Sequence, residues 1–332
     1  MTHLFFSISL LFICFISVLC FAQGLEYGGR LNGVDGLDGP ESVTVSPDNK
    51  NVYVAAGVDD AVAWFQRDSN TGALVYQGHL KDGANGVDGL DGASSVTVSP
   101  DDKHVYVTSI TDDAVSWFQR DSSTGALVYQ GHLKDGANGV DGLDYANDVT
   151  VSPDGKHVYV VAAEDDAVSW FQRDSNTGAL VYQGHMKDGA NGVDGLDGAR
   201  SVTVSPDAKH VYVASFYDDA VSRFQRDSST GALLYQGRLK DGENGVDGLD
   251  GARSVTVSPD NKHVYVAARN DNTVSWFQRD SSTGALSYQG SLKDGENGVD
   301  GLAEASSVAV SPDNKHVYVT AIADDAVSWF TQ

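Results

Sequence analysis

One period governs this chain. The segment Ser-Val-Thr-Val-Ser-Pro-Asp begins at Ser42, Ser95, Ser201 and Ser254, close variants begin at Asp148 and Ser307, and the unit returns every 53 residues, six times in all. Periods of this size belong to arrays whose units bury their apolar faces against one another. Within a unit, four short stretches alternate valine, threonine and aromatic residues with small or polar ones, as in Ser95–Ser99, His104–Ser109, Ala114–Gln119 and Ala126–Leu133. A period of two in these residue types is that of β-strands. Turn sequences separate the stretches: Ser-Pro-Asp-x-Lys, then Asp-Asp, then Arg-Asp-Ser-Ser/Asn-Thr-Gly. No stretch has helical spacing with caps.

The two ends of the array are complementary. The last copy stops at Gln332 after its third strand, and the missing fourth strand has its counterpart at the front, where Leu25–Leu31 (LEYGGRL) matches Leu74–Leu80 (LVYQGHL). The sequence therefore predicts an all-β chain: one domain over 23–332, a six-bladed β-propeller of four-stranded blades, closed by an amino-terminal strand that completes the last blade. An open solenoid would need distinct capping repeats, and none is visible. A closed ring has no edge that obliges association, so a monomer is expected.

In these residues the chain resembles the lactonase-like propellers, the family related to 6-phosphogluconolactonase and to YVTN repeats. The resemblance lies in Ser-Val-Thr-Val-Ser-Pro-Asp-x-Lys-His-Val-Tyr-Val, followed by Asp-Asp-Ala-Val-Ser-Trp-Phe and Thr-Gly-Ala-Leu, and it recurs in every blade. It implies the propeller fold and, as one activity, chemistry on a sugar-acid lactone. Lactonases of that family usually have seven blades. Propellers host enzymes, binding modules and assembly platforms alike, so fold alone does not choose among them.

Charge removes some partners. Against 22 basic residues stand 46 acidic ones, a formal net charge of −24. Such a surface repels phosphate backbones and anionic lipid, which excludes nucleic acid and membrane-surface binding through a basic patch. Residues 4–22 form a nearly continuous apolar run ending in Cys20-Phe21-Ala22 before Gln23, with a small residue at −1 and −3. Residues 1–22 thus read as a signal peptide, predicting a secreted or periplasmic protein; an uncleaved membrane anchor is the alternative, since Met1-Thr2-His3 lacks the usual positive charge. Both cysteines, Cys14 and Cys20, lie in this segment, leaving no thiol for a disulfide or metal site in the propeller.

Near-identical repeats provide an internal control: what is the same in six copies holds the blade, and what differs is free to act locally. Twelve of the fourteen tyrosines fall on repeated positions, leaving Tyr145 and Tyr217, and Phe216 departs in the same way from the repeated phenylalanine. The residue before each first strand runs Glu41, Ser94, Asn147, Arg200, Arg253, Ser306, and the variable pair between strands two and three includes Ala163-Glu164, Phe216-Tyr217 and Arg269-Asn270. Both positions open on one face of a propeller, around its channel. Arg200, Arg253, Arg269, Asn270 and Asn147 are therefore candidate binders of a carboxylate or phosphate, with Tyr145, Phe216 and Tyr217 as stacking surfaces for a ring or sugar. Glu164 and Glu41 are the candidates for proton transfer if the site is catalytic.

The crossovers between blades carry Asp82, Asn85, Asp88 and Asp91, oxygen donors at every third position on a Gly-rich run. Hard oxygen ligands suit Ca²⁺, but the spacing is neither that of an EF-hand nor that of a nonapeptide repeat. Tight turns, with Gly at positive φ and Asp bonding its own backbone, account for the pattern without a cofactor. Histidine offers no catalyst: the sets at His104, His157, His210 and at His79, His132, His185 recur across blades. Two functions stay open, a binding module for an anionic small molecule, glycan or protein on the loop face of blades three to five, and a lactonase-like hydrolase or isomerase.

Overall fold

The computed structural model describes residues 29–31 and 33–332. No helix occurs among them, and the strands form six antiparallel sheets in simple meander order, five of four strands and a last one of three. Blade one comprises Pro40–Val45, Asn51–Ala56, Ala61–Arg67 and Leu74–Lys81; blade six comprises Ala305–Val310, His316–Ala321 and Ala326–Thr331. The six-bladed propeller expected from the period is therefore the architecture observed. The strand expected to complete blade six lies mostly outside the described residues, and its last three, Gly29 to Leu31, carry no strand pairing.

Two local devices recur in every complete blade. The first strand carries a bulge near its start, in blade one between Pro40 and Ser42 and in blade five between Ala252 and Ser254. A bulge re-aims the side chain it frees, and the freed residues are Glu41, Ser94, Asn147, Arg200, Arg253 and Ser306. The fourth strand shifts register opposite the third-strand aromatic pair, Trp64 and Phe65 in blade one. Gly78 lies under the Trp64 indole there, where a Cβ would come within 2.7 Å of the ring; only glycine lets the two approach so closely.

Neighbouring blades share a dry face. Tyr53, Ala55, Val62 and Trp64 of blade one pack with Val96, Val98, Val105, Val107 and Phe118 of blade two, and Val87 and Leu90 of the crossover seal the top. Equivalent clusters join blades two to six in turn. A polar clasp lies at the edge of each of the first four faces. Arg120 donates from Nε to the Tyr53 hydroxyl at 2.7 Å and from Nη2 to both oxygens of Asp48 at 3.0 and 3.1 Å, while Tyr53 donates to the Gly125 carbonyl. Arg173, Arg226 and Arg279 repeat this pattern toward Tyr106, Tyr159 and Tyr212. Successive first strands lie side by side and line the channel.

Candidate functional site

The bulges and the loops between strands two and three bring the three singled-out arginines to one region of the channel mouth. Arg200 donates to Asn147 Oδ1 at 3.1 Å, and its guanidinium lies 5.7 Å from the centre of the Tyr145 ring and 5.8 Å from that of Phe216. Arg269 pairs with the Glu304 carboxylate, from Nη2 at 2.6 Å and from Nε at 3.1 Å. Arg253 lies between them. Burial, together with the guanidinium groups of Arg269 and Arg200, pushes its pKa below the ordinary arginine range, and Glu41 and Glu304 oppose the shift. Among the described residues no carboxylate makes an ion pair with Arg253 or with Arg200.

The loop pairs divide by position. Their first members, Phe216 and Arg269, are half-buried toward the mouth; their second members, Glu164, Tyr217 and Asn270, are exposed. Tyr217 stacks edge-on against Phe216, and Asn270 donates to Asp250 Oδ1 at 2.9 Å. Glu41 is exposed at the mouth on blade one, where its charge reaches Arg253. Glu164 makes no contact with the arginines among the described residues. Arg238, on the outer strand of blade four and away from the mouth, pairs with Asp194 and Glu243 and is largely covered.

Glu304 escaped the reading of the sequence, although its signal was there. One crossover position adopts left-handed backbone in all six copies, as Gly39, Gly92, Tyr145, Gly198, Gly251 and Glu304, with φ of 61° at Tyr145 and 55° at Glu304. A side chain in that conformation costs roughly 1–2 kcal/mol, so the two departures from glycine are strained positions, and both face the arginine group. Asp148 was also missed. Where the other blades have serine, its carboxylate accepts from Ser95 Oγ at 2.8 Å and from the amides of Val149 and Val202 at 2.9 Å, tying three adjacent first strands together. Burial raises its pKa in spite of these donors.

The crossover carboxylates separate. Asp82 and Asp88 come together with Asp112 of the neighbouring loop, their oxygens within 4.8 Å of one another. Asn85 occupies a turn at φ 54°, and Asp91 lies outside the trio. Lys134 Nζ sits 3.3 Å from Asp112, and His132 Nε2 lies 4.0 Å from Asp88. These basic groups already face the oxygens a cation would use. The second-strand histidines belong to the scaffold, since His104 Nδ1 lies 2.7 Å from Arg173 Nη2 and burial lowers its pKa. Two small hollows, of about 120 and 100 Å³, occur on the outer edges of blades five and four, where Ser291 and Arg223 replace larger repeated residues; neither reaches the arginine group.

Comparison with known proteins places this geometry in context. The model of a family described as lactonase, seven-bladed β-propeller, matches residues 31–193, 182–299 and 245–332. A 6-phosphogluconolactonase from Klebsiella pneumoniae is 24% identical over 274 residues, 80% of this chain and 76% of that protein. Among solved structures, a 6-phosphogluconolactonase candidate from Bacteroides fragilis superposes with a TM-score of 0.71 at 21% identity, over 89% of this chain and 81% of that one. The periplasmic gluconolactonase of Pseudomonas aeruginosa does so with a TM-score of 0.61 at 21% identity, over 78% and 71% of the two chains.

Proposed function

The chain belongs to the lactonase family of β-propellers, and from that premise we propose that its channel mouth binds a small molecule bearing a carboxylate or phosphate. The observation that carries this reading is the pairing pattern of the three arginines: Glu304 neutralises Arg269, whereas Arg200 and Arg253 have no carboxylate partner among the described residues of a chain of net charge −24. Two guanidinium groups close enough for the charge of Arg200 to act on Arg253 attract an anion, and each can donate a bidentate pair to it. Tyr145 and Phe216, already flanking Arg200, offer apolar faces to the rest of the ligand. A segment at 4–22 that reads as a signal peptide would put this binding outside the cytoplasm.

Kinship favours a second reading, hydrolysis of a sugar-acid lactone. In that reaction water adds to the ring carbonyl, the ester C–O bond breaks, and the departing alkoxide takes up a proton to give the open hydroxy acid. Arg200 and Arg253 would hold the substrate's anionic group or the developing oxyanion, and Glu304 or Glu41 at the same mouth would move the protons. The two readings separate in one experiment. Thermal melting with gluconate, 6-phosphogluconate and sulfate, and pH-stat turnover of a panel of aldonolactones, are measured on the wild type and on the Arg200→Ala, Arg253→Ala pair. Stabilisation by a sugar acid that is lost in the pair supports binding; turnover lost in the pair makes the protein a lactonase; no stabilisation by any anion removes the first reading, and no turnover of any lactone removes the second.

A further inference from the structure

Every blade but the fourth carries a tryptophan on its third strand. In the other complete blades the indole lies over a fourth-strand glycine, so close that a Cβ would come within 2.7 Å of the ring at Gly78, 2.9 Å at Gly131 and Gly184, and 3.0 Å at Gly290. The ring also packs with a leucine of the next blade: Trp64 with Leu127, Trp117 with Leu180 and Trp170 with Leu233, each leucine only 5% exposed. Blade four has Arg223 at this position, and the slot is left open. No atom lies within 4 Å of a Cβ placed on Gly237, and Leu286 of blade five is only half-buried. Both line a hollow of about 100 Å³, with Val221 and Leu239 completing its apolar wall. Arg238, which takes the place of the histidine of blades one to three, lines it as well. Arg223 donates from Nη2 to the Gln236 carbonyl at 2.8 Å and pairs with no carboxylate among the described residues, whereas Arg238 is neutralised by Asp194 at 3.0 Å and Glu243 at 3.3 Å. The Nε–H of each arginine is buried without an acceptor among the described residues. Buried donors left unmade are costly, and these two belong to the slot that lost its ring.

We propose that this hollow binds a small aromatic carboxylate, whose ring takes the place of the missing indole between Gly237 and Leu286 and whose carboxylate meets Arg223. The apolar half of the slot selects a flat ring, since it is the space an indole fills in the other blades. The orphaned Nε–H groups select an acceptor. Arg223, unmatched in an acidic chain, selects an anionic one. The hollow opens to solvent beside the exposed Gln236, so a single benzene ring, which fills an enclosed cavity of ~150 Å³, enters with one edge in water. The site lies on the outer edge of blade four, apart from the channel mouth and independent of any ligand there.

A carboxylate can also reach the mouth arginines, so the test uses the full chain carrying Arg200→Ala and Arg253→Ala, titrated calorimetrically with benzoate, acetate and sulfate. Benzoate is expected to bind, and acetate and sulfate at least about tenfold more weakly for want of a ring. Arg223→Trp, added to this chain, restores the residue of the other five blades; it is expected to fill the hollow, raise the melting temperature and abolish benzoate binding. Arg223→Gln leaves the hollow open but removes the charge, and is expected to weaken benzoate about tenfold or more, as on the loss of a charge-assisted hydrogen bond. The assignment is overturned if benzoate fails to bind this chain, even where it binds the chain with an intact mouth. It is overturned equally by acetate binding as tightly as benzoate, or by benzoate affinity that neither substitution of Arg223 changes.

Discussion

Arg120 and Tyr53 stand 67 positions apart in sequence, yet the Arg120 Nε meets the Tyr53 hydroxyl at 2.7 Å, and this bond, with the Asp48 carboxylate beyond it, locks blade two to blade one. Burial alone would raise the Asp48 pKa, but hydrogen bonds from Ser46, the Lys50 amide and Arg120 hold it down to about 2. Removing the arginine strips the partly covered Asp48 carboxylate of its only guanidinium partner and the buried Tyr53 hydroxyl of its donor, leaving each with its remaining hydrogen bonds alone. Arg120→Ala is therefore expected to cost about 3–5 kcal/mol in denaturant melts, and Arg120→Lys nearly as much, because a point charge cannot reach both partners.

The same clasp sets an acid limit. Asp48 and Asp207 both titrate at about 2 in the folded chain, and Asp101 and Asp154 shift in the same direction. A carboxyl whose folded pKa lies below its unfolded value contributes stability above the unfolded pKa, near 4, and loses it as pH falls through the folded value. Melting temperature is expected to hold from pH 7 to about 4.5 and to fall steeply between about 4 and 2. In Asp48→Asn the fall should be shallower from a lower plateau; an unchanged slope would show that other carboxylates govern acid unfolding.

Glu304→Gly restores the residue found at this crossover position in four blades and releases Arg269. Relief of left-handed backbone, roughly 1–2 kcal/mol, opposes the loss of a half-exposed ion pair worth about 0–1 kcal/mol, so stability should change little or rise slightly. Anion affinity at the mouth should increase about tenfold, about 1.4 kcal/mol, since a competing carboxylate leaves and a third guanidinium becomes available. Calorimetric titration with 6-phosphogluconate and sulfate checks this. Weaker binding would show that Glu304 orients Arg269 for the ligand rather than competing with it.

The fold was legible because a 53-residue period and strand alternation leave few architectures, and turn residues such as the Ser-Pro-Asp set mark every strand end. Arg200, Arg253 and Arg269 could be found by subtracting copies, since each breaks the likeness between blades at a position where the copies differ. Glu304 breaks one too, but at a crossover glycine whose importance depends on its φ, which composition does not display. Asp112 was hidden for the opposite reason: it recurs in every blade, and its approach to Asp82 and Asp88 is a matter of the next loop's path. The open faces at Val43 and Trp329 carry the same residue types as buried faces elsewhere, so only the arrangement of blades in space distinguishes them.

Asp148 offers a test of how an isolated departure from the repeat behaves inside the scaffold. Its pKa is raised by burial, so the folded chain holds the proton more tightly than the unfolded chain does. Stability from this position therefore declines as pH rises above the ordinary carboxyl range. Asp148→Ser, the residue of the other blades, keeps a hydroxyl for the Val202 amide, as Ser201 Oγ accepts from the Val255 amide at 3.3 Å. The variant should match the wild type near pH 3 and exceed it by about 1 kcal/mol at pH 7. A variant less stable at pH 7 would mean that the three donors around the carboxylate outweigh its burial.

Calcium is the remaining question that a single measurement decides. The trio of Asp82, Asp88 and Asp112 recurs in three further blades, as Asp135, Asp141, Asp165, then Asp188, Asp194, Asp218, then Asp241, Asp247, Asp271. A structural ion at each would make the protein depend strongly on it, since ligands that bind only the folded state stabilise it by mass action, about 2.7 kcal/mol at a hundredfold excess over Kd. Against this, a lysine faces the loop carboxylate in each of the four blades: Lys134 at 3.3 Å, Lys187 at 3.1 Å, Lys240 and Lys293 at 3.5 Å. A divalent ion would have to displace that ammonium and strip its own water for at most three carboxylates, fewer protein oxygens than Ca²⁺ usually takes. The melting temperature is therefore expected to be the same in EDTA and in millimolar Ca²⁺, and Lys134→Met, which unmasks Asp112, is expected to make blade two alone responsive. A drop in EDTA for the unaltered chain would establish that these crossovers are metal sites and that their lysines are secondary.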